Sequence, residues 1–101
     1  MLSKIEIVSL LQSLGTNANE IAENLMALGI KGHRGSITQD PLSNFLRSKF
    51  QNPASSGISS IYVNEIRIYF YENGLEELGQ FAVNFEYKYY PEIDVNYYLI
   101  P

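Results

Sequence analysis

The spacing of apolar residues changes near residue 58, from a helical repeat to strict alternation, and this change constrains the fold. Three earlier stretches carry apolar side chains every three or four residues, as amphipathic helices do: 4–14, 18–28 and 41–50. Residues 58–72 alternate apolar and polar or aromatic side chains, which predicts a β-hairpin that turns at Asn64-Glu65. A helical repeat returns over about 75–87. The pattern therefore predicts an α+β fold of three N-terminal helices, a β-hairpin and a fourth helix.

Start and stop signals flank the predicted helices. Ser3 and Glu6 have the spacing of a capping box, which satisfies backbone amides at a helix start. Gly29 can adopt the left-handed conformation that ends the second helix. Asp40 is an N-cap residue followed by Pro41 at the first helical position, so the third helix is expected to begin there.

The segments that connect or follow the predicted elements carry three further expectations. Residues 51–57 are rich in Ser, Asn, Pro and Gly, which favours a mobile linker before the hairpin. The turn at Asn64-Glu65 lacks the glycine that two-residue hairpin turns prefer, so the strand register stays open by a residue or two. The segment 89–101 is apolar enough to dock on the core and is a candidate third strand.

Length and composition favour one domain spanning residues 1–101. The chain is 46% hydrophobic and contains no cysteine, so it is expected to fold by packing, without disulfides. A bilayer span needs about 20 consecutive apolar residues, and no stretch approaches that. We expect a cytoplasmic protein that makes no membrane contact.

The sequence offers little for catalysis. His33 is the single histidine, and neither Ser36 nor Thr38 nearby sits in a motif that activates a nucleophile. One histidine without cysteine is too few ligands for a zinc site, and the acids form no recognised calcium loop. We therefore expect no enzyme activity, no metal and no cofactor.

Basic residues concentrate in the middle of the chain. Four of the seven lysines and arginines lie within residues 31–50, against the single acid Asp40. Such a concentration can attract an anionic partner. The candidate binding residues for that partner are Lys31, His33, Arg34, Arg47 and Lys49. The loop 31–39 either binds a phosphate or is only a flexible connection, and the sequence leaves both open.

Three helices followed by a hairpin are also the element order of a winged-helix DNA-binding protein. Helix 41–50 would then be the recognition helix and the hairpin 58–72 the wing. The connection between the second and third helices is about a dozen residues, whereas a helix-turn-helix usually has about three or four. DNA binding is therefore the alternative function.

All eight tyrosines lie in the last 40 residues. Tyrosine combines a large rigid apolar ring with a polar tip, which suits protein interfaces. The candidate interface residues are Tyr69, Tyr71, Tyr87 and Tyr90. These residues favour a small non-enzymatic adaptor that binds another protein, or a second copy of itself through the hairpin edge.

Short motifs resemble those of a family of small uncharacterised bacterial proteins from actinobacteria and cyanobacteria. The resemblance covers about residues 20–93. The residues that carry it are Ile21-Ala22, Leu25, Gly29-Ile30-Lys31-Gly32, Pro41-Leu42, Phe45-Leu46, Phe81, Phe85-Glu86 and Tyr90-Pro91. This chain has Asp40 where the family has cysteine, Phe45 where it has tyrosine and Lys88 where it has glycine. The resemblance implies a shared fold pattern and no known activity.

Overall fold

The computed structural model describes residues 3–52 and 54–96, which form four α-helices and one three-stranded sheet. The helices are α1 (Lys4–Gln12), α2 (Ala18–Ala27), α3 (Pro41–Phe50) and α4 (Glu76–Glu86). The strands are β1 (Ala54–Ser56), β2 (Ser60–Val63) and β3 (Ile66–Tyr69), and they pair antiparallel in the order β1-β2-β3. Short 3-10 turns follow at Tyr71–Asn73 and Pro91–Ile93. The predicted α+β fold is confirmed.

The helix starts follow the predicted signals. The Ser3 hydroxyl accepts a hydrogen bond from the Glu6 amide at 3.2 Å, and the Ser3 amide donates to the Glu6 carboxylate at 3.0 Å. This capping box begins α1. Pro41 opens α3, as Asp-Pro predicts, although the Asp40 side chain makes no capping hydrogen bond to the helix backbone.

Part of the predicted linker 51–57 is a strand instead. Residues 54–56 form β1, in which Ser55 pairs with Tyr62 of β2. The Ser56 amide donates to the Ile37 carbonyl at 2.7 Å, so the loop before α3 covers part of the outer edge of β1. Small side chains let β1 approach α3, against which it packs. The prediction of a linker is therefore wrong for residues 54–56, which form a strand.

The hairpin turns at the predicted place with a two-residue loop. Val63 pairs with Ile66, and both Asn64 (φ 45°) and Glu65 (φ 73°) adopt left-handed backbone conformations. Positive φ at both central residues matches the right-handed twist of the strands. The register is thereby settled without a glycine in the turn.

One hydrophobic core joins the helices to the inner face of the sheet. Its largest fully buried side chains are Phe45 of α3 with Phe81 and Phe85 of α4. α2 packs against α4, and α3 packs against β1. Gly79 allows α4 to approach the turn after β1, because a Cβ there would lie 2.7 Å from the Ile58 carbonyl oxygen.

The C-terminal segment docks, as predicted, within the described residues. Ile93 is buried, the Gly32 amide donates to the Ile93 carbonyl at 2.9 Å, and the Val95 amide donates to the Gly32 carbonyl at 3.0 Å. This parallel bridge joins the segment to the loop after α2 and not to the sheet. The remaining residues of the predicted tail, 97–101, lie outside the described part.

Within the described part, the helices are too short or too polar to cross a membrane.

Candidate functional site

The outer face of the sheet carries an arginine whose guanidinium lies over two tyrosine rings. Tyr62 of β2 and Arg67 of β3 are cross-strand partners, and Tyr69 lies two residues further along β3 on the same face. The Arg67 guanidinium carbon is 5.0 Å from the Tyr62 ring centroid and 5.9 Å from the Tyr69 ring centroid. Both rings remain exposed, at 39% and 46%. We call these three residues the tyrosine–arginine face.

A shallow groove of about 340 Å³ borders the tyrosine–arginine face. Its walls come from the loop before α3, from β1 and from the hairpin turn. The lining residues are Thr38, Ala54, Ser55, Tyr62, Asn64 and Glu65. The face is therefore concave on the Tyr62 side, where a side chain from a partner can insert.

Among the described residues, β3 is an edge strand of the sheet, and it carries Arg67 and Tyr69. The Phe70 amide donates to the Ser59 carbonyl at 3.0 Å, so by alternation Ile66 and Ile68 direct their backbone groups toward β2. The amide and carbonyl of Arg67 therefore point away from β2. The Asn73 side chain donates to the Tyr69 carbonyl at 2.7 Å and covers one end of this edge.

The structure separates the four predicted interface tyrosines. Tyr69 and Tyr71 are exposed near the start of α4, whereas Tyr87 is exposed just beyond its end. An 11-residue helix is about 16 Å long, so Tyr71 and Tyr87 belong to different surfaces. Tyr62 was not among the predicted residues. Its alternation with the buried Ile61 and Val63 is the signal that places it on the outer face.

Tyr90 is a correction, because this predicted interface residue is buried. Its ring stacks on Phe81 with a centroid separation of 5.3 Å. Its hydroxyl accepts a hydrogen bond from the Asn84 side chain at 3.0 Å and donates to the Asn19 side chain at 3.1 Å. The left-handed backbone at Lys88 (φ 67°) reverses the chain after α4 and returns Tyr90 to the core. Tyr90 therefore joins α4 to α2.

Arg34 also has a different role from the predicted one. Its Nε lies 2.6 Å from Oδ2 of Asp94, and its Nη2 donates to the Asn96 carbonyl at 2.7 Å. The side chains of the ion pair are only 9% and 0% exposed. Arg34 is therefore held by groups of the C-terminal segment, and its charge is already compensated within the chain.

Arg47 likewise makes internal contacts. Its Nη1 donates to the Ala54 carbonyl at 3.1 Å, and its Nη2 donates to the Asn44 side chain. Arg47 thus attaches β1 to α3. Lys31 and His33 are exposed on the loop after α2, while Lys49 is exposed on α3 beside the Phe45 ring. The predicted basic residues that remain exposed are therefore divided between a loop and a helix.

A buried polar cluster lies where the loop before α3, α3 and β1 meet. Ser43 Oγ is 2.5 Å from Asp40 Oδ1 and 2.9 Å from the Ile37 carbonyl oxygen, and the Ser56 hydroxyl donates to Asp40 Oδ2. Asp40, Ser43 and Ser56 are all buried. Burial raises the pKa of Asp40, against hydrogen bonds from Ser43 and Ser56 that lower it.

The number of available hydroxyl protons also favours the protonated form of Asp40. The Ser43 hydroxyl has one proton, but it lies within hydrogen-bond distance of two acceptors, Asp40 Oδ1 and the Ile37 carbonyl. A proton on Asp40 allows the carboxyl to donate to Ser43 while Ser43 donates to Ile37. The sequence identified Asp40 only as a helix cap. Ser43 lies three residues later, at a helical position that is buried. A serine at such a position indicates a hydrogen-bond partner for the Asp40 side chain.

Within residues 3–52 and 54–96, no three histidine, cysteine, aspartate or glutamate side chains are grouped to hold a metal ion. The chain matches no protein-family model, no curated protein and no solved structure. The geometry of the described residues is therefore the basis for a functional proposal.

Proposed function

We propose that this protein is a small non-enzymatic adaptor that binds another protein through the tyrosine–arginine face. The observation that carries the proposal is the Arg67 guanidinium, which lies over the rings of both Tyr62 and Tyr69 on the outer side of the sheet. Tyrosine and arginine are enriched among the residues that dominate binding energy at protein interfaces. A stacked guanidinium also keeps N–H donors available for carbonyl or carboxylate groups of a partner.

The stacking reduces the entropy that binding would cost. An exposed arginine loses side-chain freedom when a partner immobilises it, at about 0.5–1.5 kcal/mol for a long side chain. Arg67 is already restrained by Tyr62 and Tyr69, whose rings are anchored on adjacent strands. The groove beside Tyr62 adds a concave surface next to these restrained side chains.

A protein partner fits this face better than a nucleic acid. Platforms that stack bases also need a basic groove that follows the phosphates. The tyrosine–arginine face has Arg67 as its cation, Glu65 lines the adjoining groove, and the chain carries a net charge of −4. The winged-helix alternative has less support, because Arg47 of the proposed recognition helix is engaged by Ala54 and Asn44.

An affinity pull-down with paired variants tests the proposal. The tagged protein and a Tyr62→Ala/Tyr69→Ala variant are incubated with lysate of the native host, with and without nuclease treatment. The control variant Tyr87→Ala/Tyr89→Ala removes two exposed rings beyond the far end of α4. Circular dichroism confirms that both variants remain folded.

We expect a protein that binds the parent and the control variant but not the Tyr62→Ala/Tyr69→Ala variant. Capture of the same proteins by both variants would contradict the proposal. Loss of all captured protein after nuclease would favour the winged-helix alternative. Analytical ultracentrifugation of the purified parent identifies the remaining alternative, in which the partner is a second copy.

A further inference from the structure

A second candidate binding site lies between α4 and the start of α3. It is a pocket of about 210 Å³, which we call the α3–α4 pocket. Most of its lining side chains are apolar: Ile37, Pro41, Ile58, Phe81, Ala82 and Phe85. The polar side chains in its lining include Asp40 and Ser56 of the buried polar cluster and Glu86 of α4. The pocket shares no lining residue with the groove beside Tyr62.

The charged side chains that line the α3–α4 pocket are both acidic. Asp40 is buried in its wall, and Glu86 is exposed. The Gly35 amide donates to Glu86 Oε1 at 2.8 Å, which holds this second carboxylate beside the loop. Arg34, which precedes Gly35, is engaged by Asp94 and so does not neutralise either acid of the pocket. The lining therefore combines an apolar wall with two carboxyl groups, and none of its lining residues is a cation.

We propose that the α3–α4 pocket binds a small organic cation, with its ammonium group at Asp40 and its apolar body against Phe81 and Phe85. An ionised carboxylate can accept about four hydrogen bonds, and Ser43 and Ser56 each lie within hydrogen-bond distance of one oxygen of Asp40. The ionised form of Asp40 therefore retains capacity for an ammonium donor. The volume corresponds to about seven water molecules at roughly 30 Å³ each, which suits a short alkylammonium.

Binding is expected to release a proton. In the empty pocket, burial favours the neutral carboxyl of Asp40. An ammonium ion at that position favours the carboxylate instead, so binding releases the proton wherever the empty protein still holds one at Asp40. The groups facing Asp40 are Ser43 of α3 and Ser56 of β1, with Glu86 of α4 lining the same pocket. Affinity should therefore rise with pH while Asp40 is still protonated in the empty protein.

An alkylammonium group can belong to a free amine or to a lysine side chain. The first test compares n-butylammonium with n-butanol, which has the same chain length and no charge, by titration while recording amide NMR spectra. The reporters are the amides of Gly35 and Gly57, both in residues that line the pocket. A parallel titration with Nα-acetyl-lysine methylamide distinguishes the two sources.

We expect n-butylammonium to bind at least about tenfold more tightly than n-butanol, a difference of about 1.4 kcal/mol, because only the ammonium group can pair with the carboxylates of Asp40 and Glu86. Asp40→Asn keeps the shape of the side chain and should remove this preference, whereas Glu6→Gln, at an exposed acid of α1, should not. Ala82→Leu fills the pocket from α4 and should abolish binding of both probes.

Tighter binding of free n-butylammonium than of the lysine derivative would assign the pocket to small amines, and the reverse order would assign it to a lysine side chain.

Three results would overturn the proposal: equal affinity for n-butylammonium and n-butanol, an unchanged preference in Asp40→Asn, or no saturable shift with any of the three probes. Glu86→Gln, on the surface of α4, serves if Asp40→Asn fails to fold, and it should weaken n-butylammonium binding with no effect on n-butanol. None of these results depends on the tyrosine–arginine face, so the two proposals fail independently.

Discussion

Arg67 and Tyr62 face each other across the hairpin, with the guanidinium carbon 5.0 Å from the centre of the phenol ring. Both side chains lie on the outer side of the sheet. Ile61 and Ile68, on the inner side, are buried in the core. Exposed cation–π contacts contribute about 0.5–1 kcal/mol to folding. Loss of this pair should therefore lower the free energy of unfolding only slightly, whereas the proposed binding of a partner depends on it.

Arg67→Ala should separate these two roles. We expect the free energy of unfolding to fall by no more than about 1–2 kcal/mol, because Arg67 is exposed and its two cation–π contacts contribute about 0.5–1 kcal/mol each. Capture of the partner should fall to the level seen with Tyr62→Ala/Tyr69→Ala. Urea unfolding followed by circular dichroism measures the first quantity and the pull-down measures the second. A large loss of stability with unchanged capture would assign Arg67 to the fold.

Arg34→Ala should show the opposite behaviour. The ion pair with Asp94 is almost fully buried, and removing one partner of such a pair costs about 3 kcal/mol or more. Lys31→Ala, at an exposed position three residues earlier, should change the free energy of unfolding by less than about 0.5 kcal/mol. Equal effects of the two substitutions in urea unfolding would contradict the structural role of Arg34.

Glu65→Gly should stabilise the protein. Glu65 adopts φ 73°, a left-handed conformation that costs an ordinary L-residue about 1–2 kcal/mol and costs glycine little. The greater freedom of glycine in the unfolded chain offsets part of this gain, which leaves about 0.5–1 kcal/mol. Asn64→Gly is the matched control and should gain less, because asparagine tolerates this conformation. A lower melting temperature for Glu65→Gly would contradict the assigned turn.

Asp40 should make stability depend on pH. Burial raises its pKa above the ordinary value of 3.8, so the folded state keeps a proton that the unfolded chain has released. This contribution is fully present below pH 3.8 and is lost as the pH rises through the folded-state pKa. Asp40→Asn cannot titrate, so the stability of the parent relative to Asp40→Asn should fall with rising pH. Urea unfolding from about pH 4 to about pH 8 measures the difference, and a constant difference would contradict the raised pKa.

Local signals in the sequence were sufficient where a structural element depends on its own residues. Asp40-Pro41 predicted the start of α3, and alternation predicted the hairpin around Asn64-Glu65. β1 was missed because Ala-Ser-Ser has a low intrinsic preference for strands. Its pairing depends on partners such as Tyr62 and on the Ile37 carbonyl, which no local pattern identifies.

The candidate sites depend even more on contacts between distant residues. Tyr90 reaches Asn19, 71 positions earlier, and Arg34 reaches Asp94, 60 positions later. Composition alone made both residues candidates for binding a partner, but long-range packing gives them internal roles. Tyr62 and Arg67 become neighbours only once the register of the hairpin is settled. The sequence could therefore predict the residue types of the interface but not their arrangement.

Site-specific photocrosslinking tests the central claim most directly. A photoreactive phenylalanine analogue is placed at Tyr69 in one variant and at Tyr87 in another, and each is irradiated in cells of the native host. Both positions are exposed, so both analogues can react, but only Tyr69 belongs to the tyrosine–arginine face. Our account predicts a crosslinked protein adduct from position 69 and none from position 87. The same adduct from both positions, or an adduct from position 87 alone, would contradict it.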